Sequence, residues 1–225
     1  MVYCNMTVWL ASGNKHKQEE LTAILKGNTL KLPCEAGITI FDPTETGTTF
    51  AENALIKARS LYNILITANQ NKSCAVLADD SGLCVDALGG KPGIYSARYY
   101  GKESWSGNGT FITKSKIKKL RDHERNALLL EELAEKHAKD LTRKCRFVCA
   151  MVLLFSPERY YLVQENMEGE IVSSAEGIRG HGGFGYDPIV YINELGRTVA
   201  ELSEEEKNNY SHRGKAGRAI AKLLC

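Results

Sequence analysis

The chain contains no apolar run approaching the ~18 residues that a membrane-spanning helix requires. Its first stretch, Met1 to Leu10, has no basic region and carries Asn5 and Thr7, so a secretory signal peptide is not expected either. Net charge is also small: 29 Lys and Arg face 27 Asp and Glu, a formal +2. That balance gives no pointer to a nucleic-acid or membrane partner. None of the cysteines at 4, 34, 74, 84, 145, 149 and 225 forms a Cys-x-x-Cys pair, so the ligand spacing of a zinc site is missing. Their number is odd and several lie in apolar runs, where a free thiol behaves as a small hydrophobe. A reducing, cytoplasmic compartment follows as the expectation. The Walker pattern is absent, the run Gly182 to Pro188 does not by itself spell the Rossmann glycine fingerprint, and there are no internal repeats or low-complexity tracts.

What is present supports a large core. With 43% hydrophobic and 25% charged residues in 225, the chain reads as one α/β domain, or one domain with a second lobe. Val2 to Ala11 reads as a buried strand, followed by a turn at Ser12-Gly13-Asn14. A helix is expected from Lys15 to Lys26, with Leu21, Ile24 and Leu25 on one face and Gly27 as its stop. Thr29 to Cys34 and Ile38 to Phe41 are candidate strands. Thr49 and Glu52 form a capping-box pattern before an apolar stripe, Phe50, Ala54, Ala58, Leu61 and Leu65. A strand from Cys74 is expected to end at Asp79, followed by a Ser81-Gly82 turn and Leu83 to Leu88. A helix over Asn126 to Lys139 is expected next. Arg143 to Phe155 and Arg159 to Val172, joined at Ser156-Pro157-Glu158, suggest a hairpin. Pro188 to Ile192 and Thr198 to Leu202 suggest short strands; Ser203 with Glu206, and Ser211, suggest caps for two last helices. Such β-α-β alternation with a long hairpin predicts a mixed sheet carrying helices.

Five segments carry chemistry. Asp79-Asp80-Ser81-Gly82 follows an apolar run, which would put two acids at a strand's mouth. Adjacent carboxylates resist joint ionisation unless a cation sits with them, and oxygen donors of this kind suit Mg²⁺. Ser12-Gly13-Asn14-Lys15-His16-Lys17 opens a helix, whose free amides and positive end receive phosphates. With it go Glu45-Thr46-Gly47, Glu52, Asn53 and Lys57; Asn53 and Lys57, four residues apart, could present an amide and an ammonium to a triphosphate. Gly182-Gly183-Phe184-Gly185-Tyr186-Asp187-Pro188 lets backbone approach a ligand closely and offers two aromatic faces and an acceptor. Ser211-His212-Arg213, with Lys207 upstream, supplies donors for a base edge. Each segment alone reads at least as well as ordinary surface or as a structural turn. The combination does not.

In this order, Val8-Trp9-Leu10-Ala11-Ser12-Gly13-Asn14 with Lys17, Thr49-Phe50 with Glu52-Asn53-Ala54 and Lys57-Ala58, Ala78 to Leu83 with Val85-Asp86, Leu88, Gly90, Pro92-Gly93 and Ser96-Ala97-Arg98, Gly182 to Pro188, and Ser211-His212-Arg213 closely resemble the inosine triphosphate pyrophosphatase family. The resemblance covers nearly the whole chain. It implies an elongated mixed β-sheet with flanking helices, forming two lobes around a central nucleotide cleft, in a single domain over 1–225. It also implies Mg²⁺-dependent cleavage of non-canonical purine nucleoside triphosphates (ITP, dITP, XTP) to monophosphate and pyrophosphate, and a homodimer. Asp80 would orient or deprotonate the attacking water and bind metal with Glu45, Asp79 lying close by. Ser12, Gly13, Asn14, Lys15, His16, Lys17, Lys57 and Ser81 would hold the triphosphate. Phe184, Gly185, Tyr186, Asp187, Lys207, His212 and Arg213 would form the base pocket, with a donor such as Arg213, or a backbone amide, meeting O6.

Two features depart from the family pattern. His181 stands where a small hydroxyl residue is common, at the expected pocket rim. A basic insertion at about 102–125, with Lys114, Lys116, Lys118, Lys119, Arg121 and Arg125, reads as a solvated helix face; contact with nucleic acid or a partner protein is its alternative. The competing readings of the whole chain are a Maf-like pyrophosphatase for other modified nucleotides and a non-catalytic nucleotide- or RNA-binding module.

Overall fold

The computed structural model describes residues 6–68, 74–106, 108–112, 120–135 and 142–224. In chain order its elements are β1 (Thr7–Leu10), α1 (Lys15–Ile24), β2 (Thr29–Lys31), α2 (Phe50–Thr67), β3 (Ala75–Val85), β4 (Lys91–Pro92), α3 (Asp122–Glu135), β5 (Lys144–Ser156), β6 (Arg159–Ile171), β7 (Val190–Ile192), β8 (Arg197–Thr198), α4 (Glu204–Tyr210) and α5 (His212–Ala221). The strands form the mixed sheet expected, with helices against it. The chain divides into two compact units, 1–81 with 148–166 and 208–225, and 82–147 with 167–207.

In the first unit β1 lies between β2 and β3, parallel to both, with Val8 opposite Leu30 and Ala75. Parallel strands covered on both faces read as continuous apolar runs, and Val8, Leu10, Ala75 and Leu77 are fully or nearly buried. They meet Leu21 and Leu25 from the first helical segment, Met151 and Leu153 of β5, and Ala216 and Ile220 of α5 in one core. In the second unit pairing is antiparallel: β4 on β3, β7 on β6 and β8 on β7. Its core gathers Leu83, Val85, Leu129, Leu133, Phe147, Ile189 and Val190.

Local signals placed several boundaries well. Thr49 caps α2 by accepting the Glu52 N–H at 3.1 Å, and Glu52 returns bonds to the Thr48 and Thr49 amides. Replacing such a cap costs about 1 kcal/mol; Thr49→Ala is therefore expected to lower stability by that amount in urea unfolding. Ser203 and Glu206 exchange the expected capping bonds at the start of α4, and Ser211 caps α5 through Gly214. β5 and β6 are sheet neighbours joined by two residues, as the hairpin reading requires.

Other expectations need correction. β3 does not stop at Asp79: it runs unbroken through Ser81-Gly82 to Val85. Leu83 and Val85 are as buried as Val76 and Leu77, and β4 pairs with the strand's far end, so packing overrides the turn preference of Ser-Gly. Residues 38–41 form no strand; Ile40 is 82% exposed and has no sheet partner there. Strand β2 ends at Lys31, because Leu32-Pro33 leads into a 3₁₀ turn over Pro33–Ala36. The expected helix from Asn126 begins earlier, at Asp122, and residues 136–139 of it lie outside the described residues. So do Lys114, Lys116, Lys118 and Lys119 of the basic insertion. Among the described residues no helix is long and apolar enough to cross a membrane.

Candidate functional site

Successive side chains of a strand point to opposite faces, and this separates the two adjacent acids of β3. Asp79 turns toward α1 and α5. Its carboxylate, wholly buried, accepts Lys17 Nζ at 3.0 and 2.9 Å and Arg213 Nε at 3.3 Å. Arg213 Nη2 also reaches it at 3.4 Å and donates to Ser81 Oγ at 2.9 Å, while Nη1 donates to Glu20 Oε2 at 2.6 Å. Burial opposes ionisation of Asp79, but Lys17, Arg213 and Lys57 outweigh it and hold the carboxyl far below its ordinary range. Burial likewise works against the Arg213 guanidinium, and Asp79 and Glu20 keep it charged.

Asp80 turns the other way, toward α2. Lys57 Nζ donates to Asp80 Oδ1 at 2.7 Å and lies 3.1 Å from Glu45 Oε1, so one ammonium bridges two carboxylates. Burial raises the Asp80 carboxyl, Lys57 lowers it, Glu45 raises it again, and the net position is above the ordinary one. For Lys57, burial is the largest opposing influence, but Asp80, Asp79 and Glu45 hold its ammonium above the usual lysine range. Two hard oxygen donors gathered on one cation form a set that a divalent ion such as Mg²⁺ fits, since that ion takes one or two protein carboxylates. Among the described residues no group of three or more His, Cys, Asp and Glu is placed to hold a metal.

The helix start beside this cluster is partly engaged. Asn14 caps α1 by accepting the amides of His16 at 3.0 Å and Lys17 at 3.4 Å, and Ser12 Oγ accepts the Asn14 amide. Gly13, Lys15 and His16 are exposed.

The glycine loop belongs to the second unit. Asp187 Oδ2 accepts the Phe184 amide at 2.8 Å and Lys207 Nζ at 2.9 Å, and that ammonium sits 4.6 Å from the centre of the Phe184 ring. Gly183 has φ +71°, and a Cβ there would lie 2.0 Å from Asp187 Oδ2, so only glycine allows the carboxylate to fold under the loop. Asp122 Oδ2 accepts the Gly185 amide at 2.6 Å and Asn126 Nδ2 donates to Gly185 O at 3.1 Å, fastening the loop to α3. A cavity of about 670 Å³ opens here, lined by Phe184, Gly185, Arg179, His181 and Asn126 among others.

The structure therefore brings together Lys17, Ser81, Asp79 and Arg213, then Glu45, Lys57 and Asp80, then Phe184, Gly185, Asp187 and Lys207. It does not offer Tyr186 as a stacking face: that ring is 4% exposed, packed in the core, with its hydroxyl donating to Ser96 O at 2.9 Å. Arg213 is not aimed at a base edge, because its donors are spent on Asp79, Glu20 and Ser81. His212 is buried in the first turn of α5. Sequence reasoning missed Glu20, although its place three residues after Lys17 puts both on one face of α1.

A strand acid here shares a cation with a loop carboxylate, beside a lysine from the first helix. The chain belongs to the Ham1 family, whose sequence profile matches residues 8–223. It is 46% identical over 220 residues to the dITP/XTP pyrophosphatase of Treponema denticola, covering 97% of this chain and 98% of that one. It is 42% identical to a dITP/XTP pyrophosphatase of Thermus thermophilus, over 96% of this chain and 90% of that protein. Among solved structures, a HAM1 protein from Coxiella burnetii superposes with TM-score 0.77 at 34% identity, covering 97% of this chain and 98% of that one. The Staphylococcus aureus Ham1 protein gives 0.72 at 33%, covering 97% of each.

Proposed function

We propose that this chain hydrolyses dITP, ITP and XTP to the monophosphate and pyrophosphate, removing deaminated purines before RNA or DNA synthesis can use them. The observation that carries this reading is the Glu45–Lys57–Asp80 arrangement, in a chain similar over nearly its full length to dITP/XTP pyrophosphatases. Glu45 and Asp80 would hold Mg²⁺, which when bound would offset charge on the phosphate oxygens. Asp79 is left out of that pair, since Lys17 and Arg213 already occupy its oxygens.

Water adds across the α–β phosphoanhydride: a new P–O bond forms, the bridging P–O bond breaks, and pyrophosphate departs. Asp80 takes the water's proton. Lys17, Lys57, Ser81 and the exposed start of α1 bind the triphosphate, with Ser12, Asn14, Lys15 and His16 shaping that turn. Phe184 stacks on the base. Hypoxanthine and xanthine present an O6 acceptor where adenine presents an N6 donor. The Lys207 ammonium, held by Asp187, pairs with the former and meets the latter donor to donor. Residues 1–225 act as a single catalytic domain, in a cytoplasmic homodimer.

Pyrophosphate release tests the reading directly. ITP, dITP and XTP are expected to turn over at least about a hundredfold faster than ATP in kcat/KM, since a site built for one hydrogen-bond pattern rejects its inverse by orders of magnitude. Chelation should abolish the activity and Mg²⁺ restore it. Equal turnover of ATP would sink the proposal.

A further inference from the structure

Asn53 lies one helical turn before Lys57 on α2, at the spacing that suggested an amide offered to phosphate. The side chain does something else. It is 1% exposed, its Oδ1 accepts the Gly47 amide at 2.9 Å, and its Nδ2 points to Asp80 Oδ2 at 3.4 Å. The carboxamide is directional. Once its oxygen is committed to the Gly47 N–H, only its NH₂ can face the strand acid. One buried group thus ties the loop that carries Glu45, two residues before Gly47, to the acid across from it.

The fit is close. A Cβ on Gly47 would stand 2.6 Å from Asn53 Oδ1 and 2.6 Å from Glu52 Cβ, so the loop can approach α2 only where residue 47 has no side chain. Glu52 fastens the next part of the loop through Thr48 and Thr49, whereas Asn53 joins the loop to Asp80 itself.

We propose that Asn53 is a positioning residue that fixes the separation of Glu45 and Asp80, and so prepares a two-carboxylate divalent-ion site before any nucleotide arrives. This rests on the reading of Glu45 and Asp80 as the metal pair. Its effect belongs to metal binding rather than to phosphate contact, since the amide is buried and both its polar atoms are engaged.

The test is Mn²⁺ binding to the nucleotide-free protein, followed by electron paramagnetic resonance, with circular dichroism reporting the fold. Asn53→Ala and Gly47→Ala break the same tie from its two ends. Each is expected to weaken Mn²⁺ binding at least about tenfold, and the double variant to be little worse than either single one, as residues sharing one interaction behave. The Mg²⁺ concentration for half-maximal activity should rise in parallel. If Asn53→Ala fails to fold, Gly47→Ala carries the test alone. Wild-type Mn²⁺ affinity in a folded variant, or fully additive losses, overturns the role of Asn53. If Glu45→Gln and Asp80→Asn also bind Mn²⁺ as the wild type does, the metal pair itself is wrong and the proposal falls with it. Loss in those two alongside retention in Asn53→Ala removes Asn53 alone.

Discussion

Asp80→Asn is expected to lower kcat for dITP by about a thousandfold or more while changing the melting temperature by no more than a few degrees. Loss of a positioned base costs about 10²–10⁴ in rate, and the same change neutralises one of the two carboxylates proposed to hold the ion. Stability moves differently. The Asp80 carboxyl sits above its ordinary value because burial disfavours the charged form. A carboxyl raised in the folded state favours folding at low pH and loses that contribution as pH climbs through its folded value. At neutral pH its charge is therefore a liability to the fold, and a neutral amide of the same shape relieves it. Lys57 has a second carboxylate partner in Glu45, 3.1 Å away in the unsubstituted protein, which the variant retains. Pyrophosphate release and scanning calorimetry on one preparation check both halves. Retained turnover would remove Asp80 from the chemistry.

Asp79→Asn, one residue away, is expected to do the reverse to stability. Asp79 is the buried counter-charge of both Lys17 and Arg213, and Arg213 is 2% exposed. Breaking a buried pair by neutralising one partner costs about 3–5 kcal/mol. For a chain of this size that is a fall in melting temperature of about 6–20 °C. The pH dependence has a definite sign. The folded Asp79 carboxyl lies well below its unfolded value of 3.8, so its stabilisation is complete above that value and is lost as pH falls toward the folded one. The gap between wild type and variant should hold at pH 7 and narrow as the solution is acidified below about 4. Urea titrations at several pH values read it. An unchanged melting temperature at pH 7 would mean that Arg213 finds its compensation elsewhere.

These neighbouring acids show what can be read from one dimension. Two carboxylates after an apolar run, a lysine in the first helix, and a capped helix bearing Lys57 are local patterns with local causes, and they were legible. So were the Thr49–Glu52 box and the Ser211 cap, because capping is decided within four residues. The resemblance of the motifs in order pointed to the family to which the chain belongs. The partners of Arg213 were not legible: Asp79 and Glu20 lie 134 and 193 residues away in sequence, and nothing local says that a basic residue at a helix start will be buried. Tyr186 read as a stacking face because it follows a glycine-rich run, yet its ring completes the second unit's core. Ser81-Gly82 read as a turn and proved to be mid-strand, since pairing along β3 outweighs the preference of two residues.

The order of amino acids by itself determined which chemical groups the chain has for holding phosphate and a hard cation, and where most helices begin. Both follow from residue type and near neighbours. Tertiary structure decided which acid pairs with which cation. The alternation of β3 sends Asp79 to one helical layer and Asp80 to the other, so two adjacent and chemically identical side chains meet different, distant partners, which no short stretch encodes.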